Sequence, residues 1–342
     1  MQMFDMDLNY DTAFHYHCLK NCIRQVLDSY QVKDAYLYVD VSCSFMFRLE
    51  DKGYASEVST PYNNIWKPYQ SYLRIEKYYE DETAEQSVCN FLQQGVPVIV
   101  AVDSFYQPYR SSYLKHHGSH AMILTKVQED DFQVIDWYEP FFFKGFIRKD
   151  ILRKARASKN IGSQNPFSGQ EINRMTYVIQ DFKECNDQRQ LFFYGLQQIY
   201  DSFYKQRYSY TNKRMFYGVS ALEQLMRFME QNLNQVQQAK EISSQLHEDF
   251  FLLSIARKLQ LYYIDTYQEY ELPKEQLMQS IKKLVDLYDK IMFHLLKLGI
   301  RWSEAQLEQV LTLVQEVICV EKDTGNMMKV LIDTVGGTKS EI

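Results

Sequence analysis

No stretch of this chain approaches the ~18 consecutive apolar residues of a bilayer-spanning helix, so a membrane-embedded protein is not expected. An excess of cations is missing as well: 38 Lys and Arg stand against 44 Asp and Glu, a formal charge of −6, which argues against nucleic acid as a partner. The opening MQMFDMDLNYD lacks the charged-then-apolar pattern of a signal peptide. The six cysteines (Cys18, Cys22, Cys43, Cys89, Cys185 and Cys319) are scattered, with no C-x-x-C or H-E-x-x-H spacing. Together these absences predict a cytoplasmic protein with reduced thiols and no resident metal. Proline all but disappears after residue 167, where Pro273 is the last, so long uninterrupted helices are expected there.

What is present divides at about residue 181. Before it the periodicity is mixed. CLKNCIRQVLDSY places Leu19, Cys22, Ile23, Val26, Leu27 and Tyr30 on one helical face. AEQSVCNFLQQG reads as a short helix closed by Gly95. VPVIVAVD is a β-branched run of the kind found in a strand buried on both faces. Two further strands follow within Tyr113 to Pro140, then a basic helix in FIRKDILRKARAS and a closing strand in RMTYVIQDF, with residues 159–170 as a loop. After residue 186 only helices are expected. One carries Leu277, Ile281, Leu284, Tyr288, Ile291 and Leu295 as a buried stripe ended by Gly299, and Ser303 with Gln306 has the capping-box spacing that opens the next.

Candidate chemistry begins with Cys18, at the start of the first helix, where the macrodipole favours a thiolate. Cys22 lies one turn deeper on the apolar side. His120 opens a strand and Asp136 ends the next. With a three-residue turn at Gln128–Asp130, Asp136 would oppose Met122 and share a face with His120; a one-residue slip would turn it away. A helix-terminal Cys followed by a strand His and then an Asp is the papain-like order. Each residue also has an ordinary structural reading: a small buried hydrophobe for Cys18, and strand-end polar groups for the other two. His15, His17, Cys18 and Cys22 with His116, His117 and His120 could alternatively gather round a metal.

Several stretches together resemble the N-terminal domain of butirosin-biosynthesis protein H and its relatives, papain-like proteins encoded among natural-product biosynthetic genes. They are His17–Cys18 at a helix start, GVPVIVAVDSFYQPY from Gly95, HHGSHAMIL, Asp136 ending the next strand, and the Ala155–Arg156 pair in a helix. YGVSALEQL from Tyr217 is similar to the helical region that follows in the family. Two departures accompany the resemblance: NYDTAFHYH has no glutamine upstream of the cysteine, and residues 33–75 match poorly.

The resemblance implies an α+β papain-like domain over residues 1–181 and an all-α helical-bundle domain over 182–342. It implies an acyltransferase that takes an acyl group from a carrier-protein thioester onto Cys18 and passes it to a small amine, with His120 as general base and Asp136 orienting it. Phosphopantetheine would enter only as part of the carrier substrate. Asp103, Tyr109 and His17 are candidate substrate-binding residues, and Asp103 is equally a turn-forming residue. Arg148, Lys149, Arg153 and Lys154 belong to a basic run suited to an acidic carrier protein, or to an ordinary solvated helix face. A cysteine peptidase or amidase with the same three residues is the alternative. So is a non-catalytic binding protein whose aromatic-rich helical half forms a homodimer.

Overall fold

The computed structural model describes residues 17–50, 53–59, 65–138, 141–159, 172–205, 215–233, 236–267 and 274–336. His15, Pro273 and nearly all of the loop expected over residues 159–170 lie outside them. The chain forms two compact units, Met1–Asp40 with Tyr62–Asn186, and Val41–Pro61 with Asp187–Ile342. A single cut near residue 181 is therefore corrected: residues 41–61 belong with the second half.

In the first unit, α1 (Cys18–Ser29) is followed by β3 (Leu73–Glu76), α2 (Asp81–Gln93), β4 (Val98–Asp103), β5 (Ser119–Gln128), β6 (Asp131–Tyr138), β7 (Phe141–Arg148), α3 (Lys149–Ala157) and β8 (Thr176–Ile179). The strands form one antiparallel sheet in the order β3-β8-β4-β5-β6-β7. Every residue of β4 is buried, as its β-branched composition requires. Val98, Val100 and Val102 share a core with Met122 and Leu124 of β5, Val88 and Phe91 of α2, and Leu152 and Ala155 of α3. Helix α1 packs across β5, β4, β6 and β8. Its apolar stripe is buried as expected, and so are Lys20, Asn21, Arg24 and Gln25, which periodicity assigns to solvent. Phe146–Arg148, read as helix from sequence, end β7 instead, and α3 starts only at Lys149.

The second unit holds β1 (Ser44–Glu50), β2 (Gly53–Ser59), α4 (Gln188–Phe203), β9 (Met215–Tyr217), α5 (Gly218–Asn232), α6 (Val236–Thr266), α7 (Glu275–Ile300) and α8 (Glu304–Gly336). The all-α expectation for residues 182–342 is thus corrected, because β9 pairs with β1 in a three-stranded sheet β2-β1-β9. Phe45 and Phe47, two residues apart on β1, point into the helical core with Leu225, Phe250, Leu284 and Val314. Gly218 begins α5 at φ 56°, where a Cβ would sit 1.8 Å from the Phe203 carbonyl oxygen, so no other residue fits. The α7 stripe is buried throughout, although the helix runs one residue past Gly299. The Ser303 hydroxyl accepts from the Gln306 N–H at 3.3 Å, half of the capping box; the Gln306 side chain turns to His294. No helix among the described residues is long and apolar enough to cross a membrane.

Candidate active site

His17 caps α1: its Nδ1 accepts the Lys20 backbone N–H at 3.4 Å, which makes Cys18 the first helical residue. The imidazole is 8% exposed, and burial together with nearby Lys20 pushes its pKa down to about 3. The ring is thus neutral and enclosed, with its Nδ1 committed to the helix end. Cys18 is partly exposed, whereas Cys22 is buried and its thiol is pushed well up by that burial.

Opposite Cys18, the β5–β6 hairpin sets the other two residues. Gln128 pairs with Asp131, so the turn has two residues, Glu129 and Asp130, and not three. A tighter turn would shift the register by one and turn Asp136 to the wrong face. The shift is cancelled at Thr125, a bulge between the Leu124–Val134 and Lys126–Gln133 pairs, whose hydroxyl donates to Gln133 Oε1 at 2.9 Å. Beyond it Ile123 pairs with Ile135, and the next step places Asp136 opposite Met122. His120 Nε2 and Asp136 Oδ1 are 2.6 Å apart.

His120 also acts on Cys18 and lowers its thiol pKa. Burial opposes a thiolate there, but the His120 charge and hydrogen bond, the Ala121 backbone N–H and Arg110 outweigh it, and the thiol pKa is lowered. In turn His120 is raised: burial and Arg110 act against its proton, while Asp136 and Cys18 hold it. Asp136, fully buried, is lowered against its own burial by His120, Arg110 and Tyr109. The three groups favour a thiolate–imidazolium pair backed by a carboxylate.

Asp136 Oδ2 is held separately. The Tyr109 hydroxyl donates to it at 2.7 Å and Arg110 Nη1 at 3.3 Å. The Tyr109 ring stacks on Phe143 at 3.8 Å. Tyr109 is thus a partner of the acid, and its assignment to an acceptor amine is corrected. Arg110, which sequence reasoning passed over, follows it directly in the Pro-Tyr-Arg run after β4. Asp103 is also reassigned. Fully buried, it accepts from the Phe105 N–H at 3.0 Å, the Gly118 N–H at 3.1 Å, the Ser158 hydroxyl at 2.6 Å and His117 Nδ1 at 2.7 Å. Four partners fill a carboxylate, so Asp103 ties β4 to the loop before β5 and has nothing left for substrate.

In the basic run, Arg148 pairs with Asp150 at 2.8 Å and Arg153 with Glu85 of α2 at 2.8 Å. Lys149 is half-buried over the Phe132 ring, and Lys154 is exposed. The run is less positive than its sequence, because Glu85 comes from a distant segment. Among the described residues no group of three or more His, Cys, Asp or Glu is placed to hold a metal ion.

No curated protein matches the chain. A family does: residues 35–137 match the family model described as butirosin biosynthesis protein H, N-terminal. The match starts within residues 33–75, which resemble the family least by their motifs, and after Cys18. It contains Tyr109, Arg110, His120 and Asp136, and it is the family that the ordered motifs resemble.

Proposed function

We propose that this protein is a papain-like acyltransferase that works through a thioester on Cys18. The observation that carries the reading is the partly exposed Cys18, whose thiol is lowered by His120, with His120 itself held at 2.6 Å by the buried Asp136. A helix presenting a cysteine at its first position to an antiparallel sheet that supplies His and Asp supports the papain-like assignment. The family's namesake belongs to butirosin biosynthesis, which supports a biosynthetic role.

The Cys18 thiolate attacks the carbonyl carbon of a carrier-bound acyl thioester. The Cys18 backbone N–H, at a helix end where no intrahelical acceptor exists, donates to the developing oxyanion. The C–S bond to the carrier breaks, and the pantetheine sulfur leaves with the proton of His120. Exchange between two thioesters is nearly isoenergetic, so the step runs readily. An amine then attacks the acyl-enzyme, His120 takes its proton, the Cys18–acyl bond breaks and the amide departs. Asp136 holds the imidazole orientation throughout, and Tyr109 and Arg110 hold Asp136. Lys154 and its neighbours on α3 are the proposed docking surface for an acidic carrier protein.

Intact-protein mass spectrometry after incubation with an acyl pantetheine thioester tests this. The protein should gain one acyl mass, and Cys18→Ala should gain none. Release of the acyl group to an added amine faster than to water supports transfer; equal or faster release to water makes the enzyme a hydrolase. No acylation at all removes the catalytic reading and leaves a binding domain.

A further inference from the structure

The Ala155–Arg156 pair has no part in the chemistry above, yet Arg156 is an electrostatic anomaly. It is 4% exposed on α3, and its guanidinium meets only neutral acceptors. Nη1 reaches the Ala84 carbonyl oxygen at 3.5 Å, and Nη2 reaches the Arg174 carbonyl oxygen at 2.9 Å and the Thr176 hydroxyl at 2.7 Å. Its Nε–H is buried without an acceptor. Burial and the adjacent Arg174 push its pKa down to about 10, in spite of Asp81 and Glu85 nearby. A buried cation normally has a counterion, since taking its charge out of water costs several kcal/mol. Its backbone supports are themselves strained: Asn173 and Arg174 adopt φ of 38° and 52°, an unusual pair for residues other than glycine.

Beside this guanidinium, between α2 and α3, lies a cavity of about 10 Å³, lined by four cationic side chains (Lys149, Arg153, Arg156 and Arg174) and two carboxylates, Asp81 and Glu85. Both carboxylates are engaged, Glu85 by Arg153 Nη2 and Asp81 by Arg174 Nε. Arg156 and Lys149 therefore have no carboxylate of their own among the described residues. The free volume is that of a single small body, closer to one atom than to phosphate, sulfate or an organic acid.

We propose that this cavity binds a monatomic anion of the chloride class, the counterion of Arg156 and Lys149. Water would satisfy the Nε–H but bring no charge; a halide satisfies the Nε–H and offsets one of the two positive charges. Bound there, it fastens α3 to α2 and β8. Through Ser158, which follows α3, the same clamp steadies Asp103 and the loop that begins beyond it.

The test uses the full chain in sodium gluconate, titrated with sodium chloride at constant ionic strength while thermal unfolding is followed. A saturable rise in melting temperature is expected, matched by bromide and not by sulfate. Lys149→Gln, on a half-buried side chain that a folded protein tolerates, should weaken the apparent chloride affinity by roughly tenfold or more. Arg156→Gln should abolish the response. Crystals grown with bromide should show its anomalous signal within hydrogen-bond distance of Arg156 Nε. A melting temperature indifferent to chloride, an unchanged affinity in Lys149→Gln, or a water at that position in bromide-grown crystals would each overturn the proposal.

Discussion

Each of the two units buries a constellation of charge, and the two are finished differently. In the second unit Arg257 and Glu321 are both fully buried and lie 2.8 Å apart. Glu321 accepts from Tyr204 and Tyr288 at 2.6 Å each, and from Arg257 Nε at 2.9 Å. Arg257 Nη1 donates to Gln260 at 2.6 Å, and its guanidinium lies 4.1 Å from the Phe203 ring centroid. Here Glu321 is saturated by groups that do not titrate near neutrality, and Arg257 has its counterion beside it. In the first unit Asp136 is saturated in the same way, but the chain does not end there. It passes through His120, whose pKa is raised, to Cys18, a partly exposed residue. Closure on all sides makes a fastening; one open end makes a reagent.

The sharpest way to separate the two is to remove one atom group from each. Cys18→Ala should lose all acylation by mass spectrometry with an unchanged melting curve, because only a small partly exposed side chain at a helix start is lost. Asp136→Asn should keep a hydrogen-bond partner for His120 but not its charge, slowing acylation by on the order of 10²–10⁴-fold in single-turnover kinetics. Glu321→Ala should leave acylation by folded protein intact and cost about 3–5 kcal/mol in denaturant unfolding, since it strands Arg257 without a counterion. If Glu321→Ala melts normally, the contrast between fastening and reagent fails.

Asp249 offers a finer comparison inside the second unit. It is 6% exposed and accepts from the Ser56 hydroxyl at 2.5 Å. Burial, with Glu248 adding to it, raises its pKa to about 7 against the Ser56 hydrogen bond. Between the unfolded value near 4 and this folded value, the native state keeps a proton that the unfolded chain has released. Stability should therefore fall by on the order of 2–4 kcal/mol as pH rises from about 4 to 7, then level off. Asp249→Asn should flatten that slope in urea titrations. The smallest effect is expected for Tyr109→Phe, about 1.5 kcal/mol or tenfold in acylation, because Arg110 still holds Asp136 Oδ2. A full loss there would make Tyr109 more than a support.

Much of the site was legible because Cys18, His120 and Asp136 each stand at or near the end of an element, where residue type and spacing carry the signal; β6 runs two residues past Asp136. The face of Asp136 came out right although the turn was read one residue too long. The Thr125 bulge restores the phase, and no local pattern announces it. Asp103 and His17 could not be assigned from sequence, since their partners (Ser158, His117 and the Lys20 amide) are known only once the chain has folded. The strands β1 and β9 escaped for a related reason: Phe45 and Phe47 alternate as a strand should, but the surface they bury comes from helices far along the chain. The α7 stripe needed no such knowledge, and its periodicity alone located the core.

The exchanged hairpin has a consequence for how this chain is made. Synthesis delivers Val41–Pro61 long before the helices that cover Phe45 and Phe47, the last of which is α8 at the far end. Throughout that interval a strand edge and two phenylalanines are without their native cover, a situation that invites misassembly. Folding of the second unit cannot be completed co-translationally in the order of the message. It must wait for the ribosome to release α8, and a product truncated before that helix would carry an adhesive hairpin.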